Sequence, residues 1–138
     1  MTATAPNSST PPSLAVSPAA LHKRRLGAYG ENVAARHLCR GGMVLLDRNW
    51  RCDAGEIDLV LRDGGTVVVC EVKTRRTRTF GEPVQAITWV KLARLRRLAG
   101  CWLTDHPVPA RGVRLDVVAL LRHPDGSFSV DHRGGVGR

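Results

Sequence analysis

Two largely apolar runs, IDLVL and TVVVC, stand either side of Gly64-Gly65 in the stretch GEIDLVLRDGGTVVVCEVKTR, residues 55–75. Side chains of this kind suit a pleated surface, and glycines accept the positive φ of a two-residue primed turn, so the stretch specifies a β-hairpin. A hairpin this apolar is not stable alone and has to be buried by the rest of the chain. Its charged residues are therefore the informative ones: Asp58 interrupts the first strand, and Glu71 and Lys73 interrupt the second near its end.

Period-two alternation sorts these side chains onto two faces. Ile57, Leu59 and Leu61 share one face with Val68, Cys70 and Val72; Glu56, Asp58 and Val60 share the other with Val67, Val69, Glu71 and Lys73. If Gly64-Gly65 is the turn, Asp63 faces Thr66, Asp58 faces Glu71 and Glu56 faces Lys73. If Asp63-Gly64 is the turn, Asp58 becomes a diagonal neighbour of Glu71. The shared face survives either choice, whereas a three-residue loop would break it.

Directly opposed residues have Cβ atoms about 5 Å apart, and two carboxylates there repel by roughly 3 kcal/mol at an effective dielectric near 20. Such a pair needs solvent to screen it or a cation to offset it. Two hard oxygen ligands with room for waters suit Mg²⁺ or Mn²⁺. Lys73, one pleat beyond Glu71, adds a fixed positive charge. A divalent cation, a lysine and a basic surface together make a place where a phosphodiester is bound and cut. The plainer alternative is an edge hairpin whose charged end is wet, with Glu56 and Lys73 as a surface ion pair.

Charge points the same way. The 138 residues hold 21 Lys+Arg against 12 Asp+Glu, a formal balance of +9. From Thr74 to Leu103 stand Arg75, Arg76, Arg78, Lys91, Arg94, Arg96 and Arg97 against Glu82 alone. So concentrated an excess suggests a polyanionic partner, nucleic acid above all, with Arg75, Arg76, Arg78, Lys91, Arg94 and Arg97 as candidate contacts. Cys39, Cys52, Cys70 and Cys101 are widely spaced and form no CxxC pair, which argues for buried, reduced thiols in a cytosolic (cytoplasmic) protein rather than a zinc site. No run approaches about 18 apolar residues, so no membrane span is expected.

Along the chain, residues 1–20 lack charge and are rich in Ser, Thr, Pro and Ala, and they read as a flexible tail without the basic start of a secretory signal. Residues 26–42 read as a helix with Tyr29, Val33 and His37 at i, i+4 and i+8, flanked by Ala34 and Leu38 and stopped by Gly41-Gly42. A strand is expected at 43–50, then the hairpin. A helix follows over 83–103, with Pro83 in its first turn and Val84, Ile87, Leu92, Leu95, Leu98 and Trp102 along one face. Strands are expected at 113–121 and 128–132, with 134–138 frayed; residues 21–133 would form a single domain. Asp116 interrupts a buried strand and reads as structural, and the five histidines show no ligand spacing.

GEIDLV, followed thirteen positions after its aspartate by the glutamate of EVK, resembles the PD-(D/E)xK nuclease core shared by restriction enzymes and archaeal Holliday-junction resolvases. The wider series GAYGENVAARHL, NWRCDAGEIDLVLRDGGTVVVCEVKTR, FGEPVQAITWVKLARLRRLAGCWL and VRLDVVAL, roughly residues 26–121, resembles the YraN-like family of small bacterial proteins. The resemblance implies an α/β, restriction-endonuclease-like core with a mixed central β-sheet flanked by α-helices. It implies Asp58 and Glu71 as ligands of Mg²⁺ or Mn²⁺, the Val72 carbonyl as a third, and Lys73 as the group that orients or deprotonates the attacking water. It also implies metal binding by Glu31, through its side chain or water, a site-proximal catalytic role for Gln85, a phosphate contact for Arg75, and, from the dimeric resolvases, a homodimer. The implied activity is metal-dependent endonucleolytic cleavage of DNA, branched or structured DNA included; the alternative is an inactive nucleic-acid-binding module of the same fold. Ile57 stands where the superfamily has proline, a position that binds no metal.

Overall fold

The computed structural model describes residues 17–76 and 88–137. Its elements run α1 (Pro18–Arg40), β1 (Val44–Cys52), β2 (Gly55–Asp63), β3 (Thr66–Arg75), α2 (Trp89–Asp105), β4 (Gly112–Arg122) and β5 (Phe128–Arg133), the expected order of helix, three strands, helix and two strands. The strands form one sheet in the order β1-β2-β3-β4-β5. β3 and β4 pair in parallel from Thr66↔Gly112 to Arg75↔Leu121, with α2 between them in sequence; the other pairings are antiparallel. The hairpin turns at Gly64-Gly65, with Gly64 at φ 60° and Asp63↔Thr66 as its first pair.

The mixed sheet is flanked by the two helices, so the central strands are apolar on both faces. On one side Ala34, Ala35 and Leu38 of α1 pack on Leu59, Leu61, Val68, Cys70, Val118 and Leu120. On the other, Leu92, Leu95, Leu98, Ala99 and Trp102 of α2 pack on Ile57, Val60, Val67, Val69 and Leu115. Trp102 is 2% exposed, and its indole N–H donates to Asp47 Oδ2 at 2.9 Å, the partner a buried indole requires.

Several expectations need correcting. The buried line of α1 is Leu26, Gly30, Ala34 and Leu38, not Tyr29, Val33 and His37: Tyr29 is 51% exposed and lies edge-on to Phe128 at the rim. Small residues face the sheet because they let the helix axis come close. A Cβ on Gly30 would fall 2.1 Å from Thr74 Oγ1, so only glycine permits this approach. The helix also starts earlier than expected, and Pro18–Ala20 form its first turn; residues 1–16 lie outside the described residues.

α2 does not run unbroken from Pro83. Thr88 is extended (φ −83°, ψ 160°), and its hydroxyl accepts the Lys91 N–H at 3.2 Å, which makes it the N-cap. Pro83, Val84 and Ile87 lie outside the described residues.

Residues 134–137 are not frayed. The Gly135 N–H donates to Asp116 Oδ1 and the Val136 N–H to the Leu115 carbonyl, and Val136 packs into the α2-side core. Asp116, 0% exposed, is structural as expected: it accepts from Arg114 Nε and Nη2 and lies 2.8 Å from His132 Nε2. Burial alone would raise its carboxyl, but the bonds from Arg114, His132 and Gly135 outweigh burial and hold it below the usual carboxylate range. All four cysteines are free; Cys70 is buried, and Cys39, contrary to expectation, is exposed. Among the described residues no helix is long and apolar enough to cross a membrane.

Candidate active site

The β2–β3 ladder runs in the register set by Gly64-Gly65 as far as Leu59↔Cys70. Beyond it, alternation fails. Ile57 joins Val60 in the α2-side core instead of staying with Leu59 and Leu61, so the chain twists at Asp58. The Asp58 carboxylate then stands in for backbone: its Oδ2 accepts the Val72 N–H at 2.8 Å. Asp58 and Glu71 are thus neighbours where the two strands part, rather than a registered facing pair.

β1 reinforces the twist. Its registered pairs Arg48↔Leu59 and Trp50↔Ile57 bracket Asn49 and Asp58. Asn49 is the one non-glycine residue at positive φ (50°) among the described residues, a conformation asparagine tolerates better than most. Its side chain bonds Glu31, which α1 presents one residue after Gly30. Burial pushes the Glu31 carboxyl up, while the Asn49 bond and Arg48, 4.0 Å away, pull it back.

Four carboxylates therefore gather where β2 and β3 separate. Three have cationic partners: Glu31 with Arg48, Glu56 with Arg51 at 3.6 Å, and Glu71 with Lys73 at 3.5 Å. Glu56 and Lys73 do not pair with each other, so the plain surface ion pair is absent. Asp58 alone has no cationic partner among the described residues. Burial first, then repulsion from Glu31, Glu71 and Glu56, raises its carboxyl to about 6 against the pull of the Val72 N–H.

That excess of negative charge is what a divalent cation would offset. Among the described residues no three His, Cys, Asp or Glu side chains close into a ready-made cage. A pair of carboxylates, one backbone carbonyl and waters is nonetheless a donor set that Mg²⁺ or Mn²⁺ accepts and that a tetrahedral zinc site does not use. The residues present fit a hard, partly hydrated ion.

Of the basic residues singled out from the sequence, some follow Lys73 on β3 and others lie on α2. Arg75 ends β3 and Arg76 follows it, both exposed, two and three residues past Lys73. Lys91, Arg94 and Arg97 lie on α2, the two arginines exposed; Arg94 Cδ lies 3.9 Å from where a Cβ on Gly55 would sit, over the start of β2. Arg96 instead donates to the Gly137 carbonyl. Gln85 and Arg78 lie outside the described residues. Asn49, Arg48, Arg51 and Gly30 were not singled out from the sequence. An asparagine inside the strand LLDRNW was the one available signal, and only tertiary structure gives it a partner.

A five-stranded mixed sheet between helices, with Asp58 and Glu71-x-Lys73 where adjacent strands part, defines an α/β protein with an architecture consistent with the restriction-endonuclease-like core. The chain belongs to the YraN-like group described as "Uncharacterised protein family UPF0102", whose family model matches residues 30–120. It is similar to a UPF0102 protein of Nocardioides sp., 59% identical over 121 residues, covering 88% of this chain and 98% of that protein. A UPF0102 protein of Beutenbergia cavernae is 56% identical over 115 residues (83% and 98%), and one of Streptomyces griseus subsp. griseus is 52% identical over 112 residues (80% and 94%).

Proposed function

We propose that this chain is a metal-dependent deoxyribonuclease that hydrolyses phosphodiester bonds in DNA, acting in the cytoplasm as a homodimer on branched or otherwise structured substrates. The observation that carries the reading is Asp58, a half-buried carboxylate fixed by the Val72 amide, crowded by three other acids and without a cation of its own among the described residues. A pure binding surface gains nothing from acids placed beside a phosphate.

Asp58 and Glu71, with the Val72 carbonyl, would hold Mg²⁺ or Mn²⁺, and Glu31 would reach the ion directly or through water. Such an ion, when bound, supplies an acidified water and positive charge against the phosphate oxygens. Lys73, held by Glu71, presents its ammonium to orient the attacking water or to balance charge developing on the phosphate oxygens. Arg75, Arg76, Lys91, Arg94 and Arg97 hold backbone phosphates on either side.

The test incubates the protein with supercoiled, single-stranded, flap and four-way-junction DNA in Mg²⁺, Mn²⁺ or EDTA, beside Asp58→Ala and Lys73→Ala. Metal-dependent nicking lost in both variants supports the enzyme. Salt-sensitive binding with no cleavage by any form leaves only a binding module.

A further inference from the structure

α2 opens with two large apolar side chains that the fold leaves bare: Trp89 is 78% exposed and Val90 79%. The helix packs on the sheet through Leu92, Leu95, Leu98, Ala99 and Trp102, so the core uses neither. On the solvent side Val90, Arg94 and Arg97 fall at i, i+4 and i+7 and form one stripe, which begins at the residue after Trp89. The helix has no acidic residue in its first turn. Arg94 extends the stripe over Gly55, at the start of the strand that carries Asp58.

We infer that Trp89, backed by Val90, is a stacking platform for an unpaired base of the DNA strand whose phosphates lie along Arg94 and Arg97. The inference rests on the DNA reading above and sharpens it: the preferred substrate carries unpaired bases beside the cut. A base has a flat face whatever its identity, and aromatic side chains set among cations bind it without sequence preference. Uniform duplex offers no free face. A lipid surface is the weaker fit, because a membrane-bound helix needs a whole apolar face and that of α2 is already spent on the sheet. A second copy is weaker too, since two side chains fall well short of a stable interface.

The experiment measures anisotropy of labelled oligo-dT, a blunt duplex and a splayed-arm duplex, in EDTA so that nothing is cleaved. It compares wild type with Trp89→Ala, Trp89→Phe and the double variant Arg94→Ala/Arg97→Ala. At an exposed position these substitutions leave the fold intact, which circular dichroism verifies. Wild type is expected to favour oligo-dT and splayed arms over blunt duplex. Trp89→Ala should lose about 5- to 100-fold on oligo-dT, the range for one stacked base, with little change on blunt duplex, and Trp89→Phe should keep most of the affinity. The arginine variant should weaken all three substrates.

If wild type binds DNA but Trp89→Ala matches it on oligo-dT, or weakens every substrate equally, the platform is overturned and the DNA reading stands. If wild type binds no DNA, both fall. Trp89-dependent binding to anionic phosphatidylglycerol vesicles without DNA binding, or a Trp89-dependent dimer by light scattering, reassigns the patch and likewise overturns the inference.

Discussion

At the residue scale, the role proposed for Asp58 runs against stability. Its carboxyl titrates at about 6 in the fold against an ordinary value of 3.8, so the folded state holds the proton more tightly than the unfolded chain. The stability this contributes is complete below pH 3.8 and is lost as the pH rises through about 6; in EDTA, chemical denaturation should therefore show a protein weaker at pH 8 than at pH 5. The shift sets an upper limit of about 3 kcal/mol, and solvent reaching this partly exposed group brings it nearer 1–2 kcal/mol. Asp58→Asn keeps an acceptor for the Val72 N–H and removes the charge, so it should gain about 1–2 kcal/mol at pH 8 while abolishing cleavage. Mg²⁺ should raise the melting temperature of wild type and leave that of Asp58→Asn unmoved. Asn49 gives a second residue-scale test. Asn49→Val forces a branched residue to φ 50° and should cost about 1–3 kcal/mol on thermal unfolding, whereas Asn49→Gly accepts that φ and should cost less. A smaller loss for valine than for glycine would remove strain from the account.

At the element scale, what the sequence disclosed divides by periodicity. The hairpin was legible because a two-residue turn and period-two alternation leave few registers, and the observed register follows Gly64-Gly65 as far as Leu59↔Cys70. It ceased to be legible at Asp58, where the twist moves Ile57 to the other core, because alternation assumes a ladder that continues. α1 misled for a different reason. Tyr29, Val33 and His37 make a helical stripe of large side chains, yet the helix buries Gly30, Ala34 and Ala35 between Leu26 and Leu38, since close approach to β3 at Gly30 outweighs side-chain size. Hydrophobicity patterns do not register a requirement for smallness. Gly30→Ala is the test: its methyl meets Thr74 Oγ1 and Cβ, α1 must back away, and the fold should lose about 1–3 kcal/mol. The same retreat draws Glu31 from Asn49, so cleavage should fall further than stability explains. Gly30→Ala/Thr74→Ala removes both the Oγ1 and the Cγ2 contact, and a double-mutant cycle should show coupling. Additive effects would mean that this contact does not set the helix position.

At the scale of the whole molecule, the chain is basic overall yet gathers four of its twelve acids at one corner, near the end of β3. The element order was foreseeable from the chain and the mixed sheet from the family resemblance, which also put Glu31 with Asp58 and Glu71; the way the four acids meet was not, because it joins a helix to two strands across a point where regular pairing stops. The two charge regions make separable predictions for DNA held without divalent metal. Each phosphate neutralised by an arginine releases counterions, so Arg94→Ala/Arg97→Ala should weaken binding and flatten the plot of log affinity against log salt by about 1–2 units. Asp58→Asn deletes a negative charge that faces the same backbone and displaces no counterion, so it should tighten binding in EDTA while leaving that slope unchanged. Titrations across a salt series measure both effects on the same substrate. If Asp58→Asn neither tightens binding nor alters metal response, the acids do not face the phosphate, and the basic surface alone would account for any affinity.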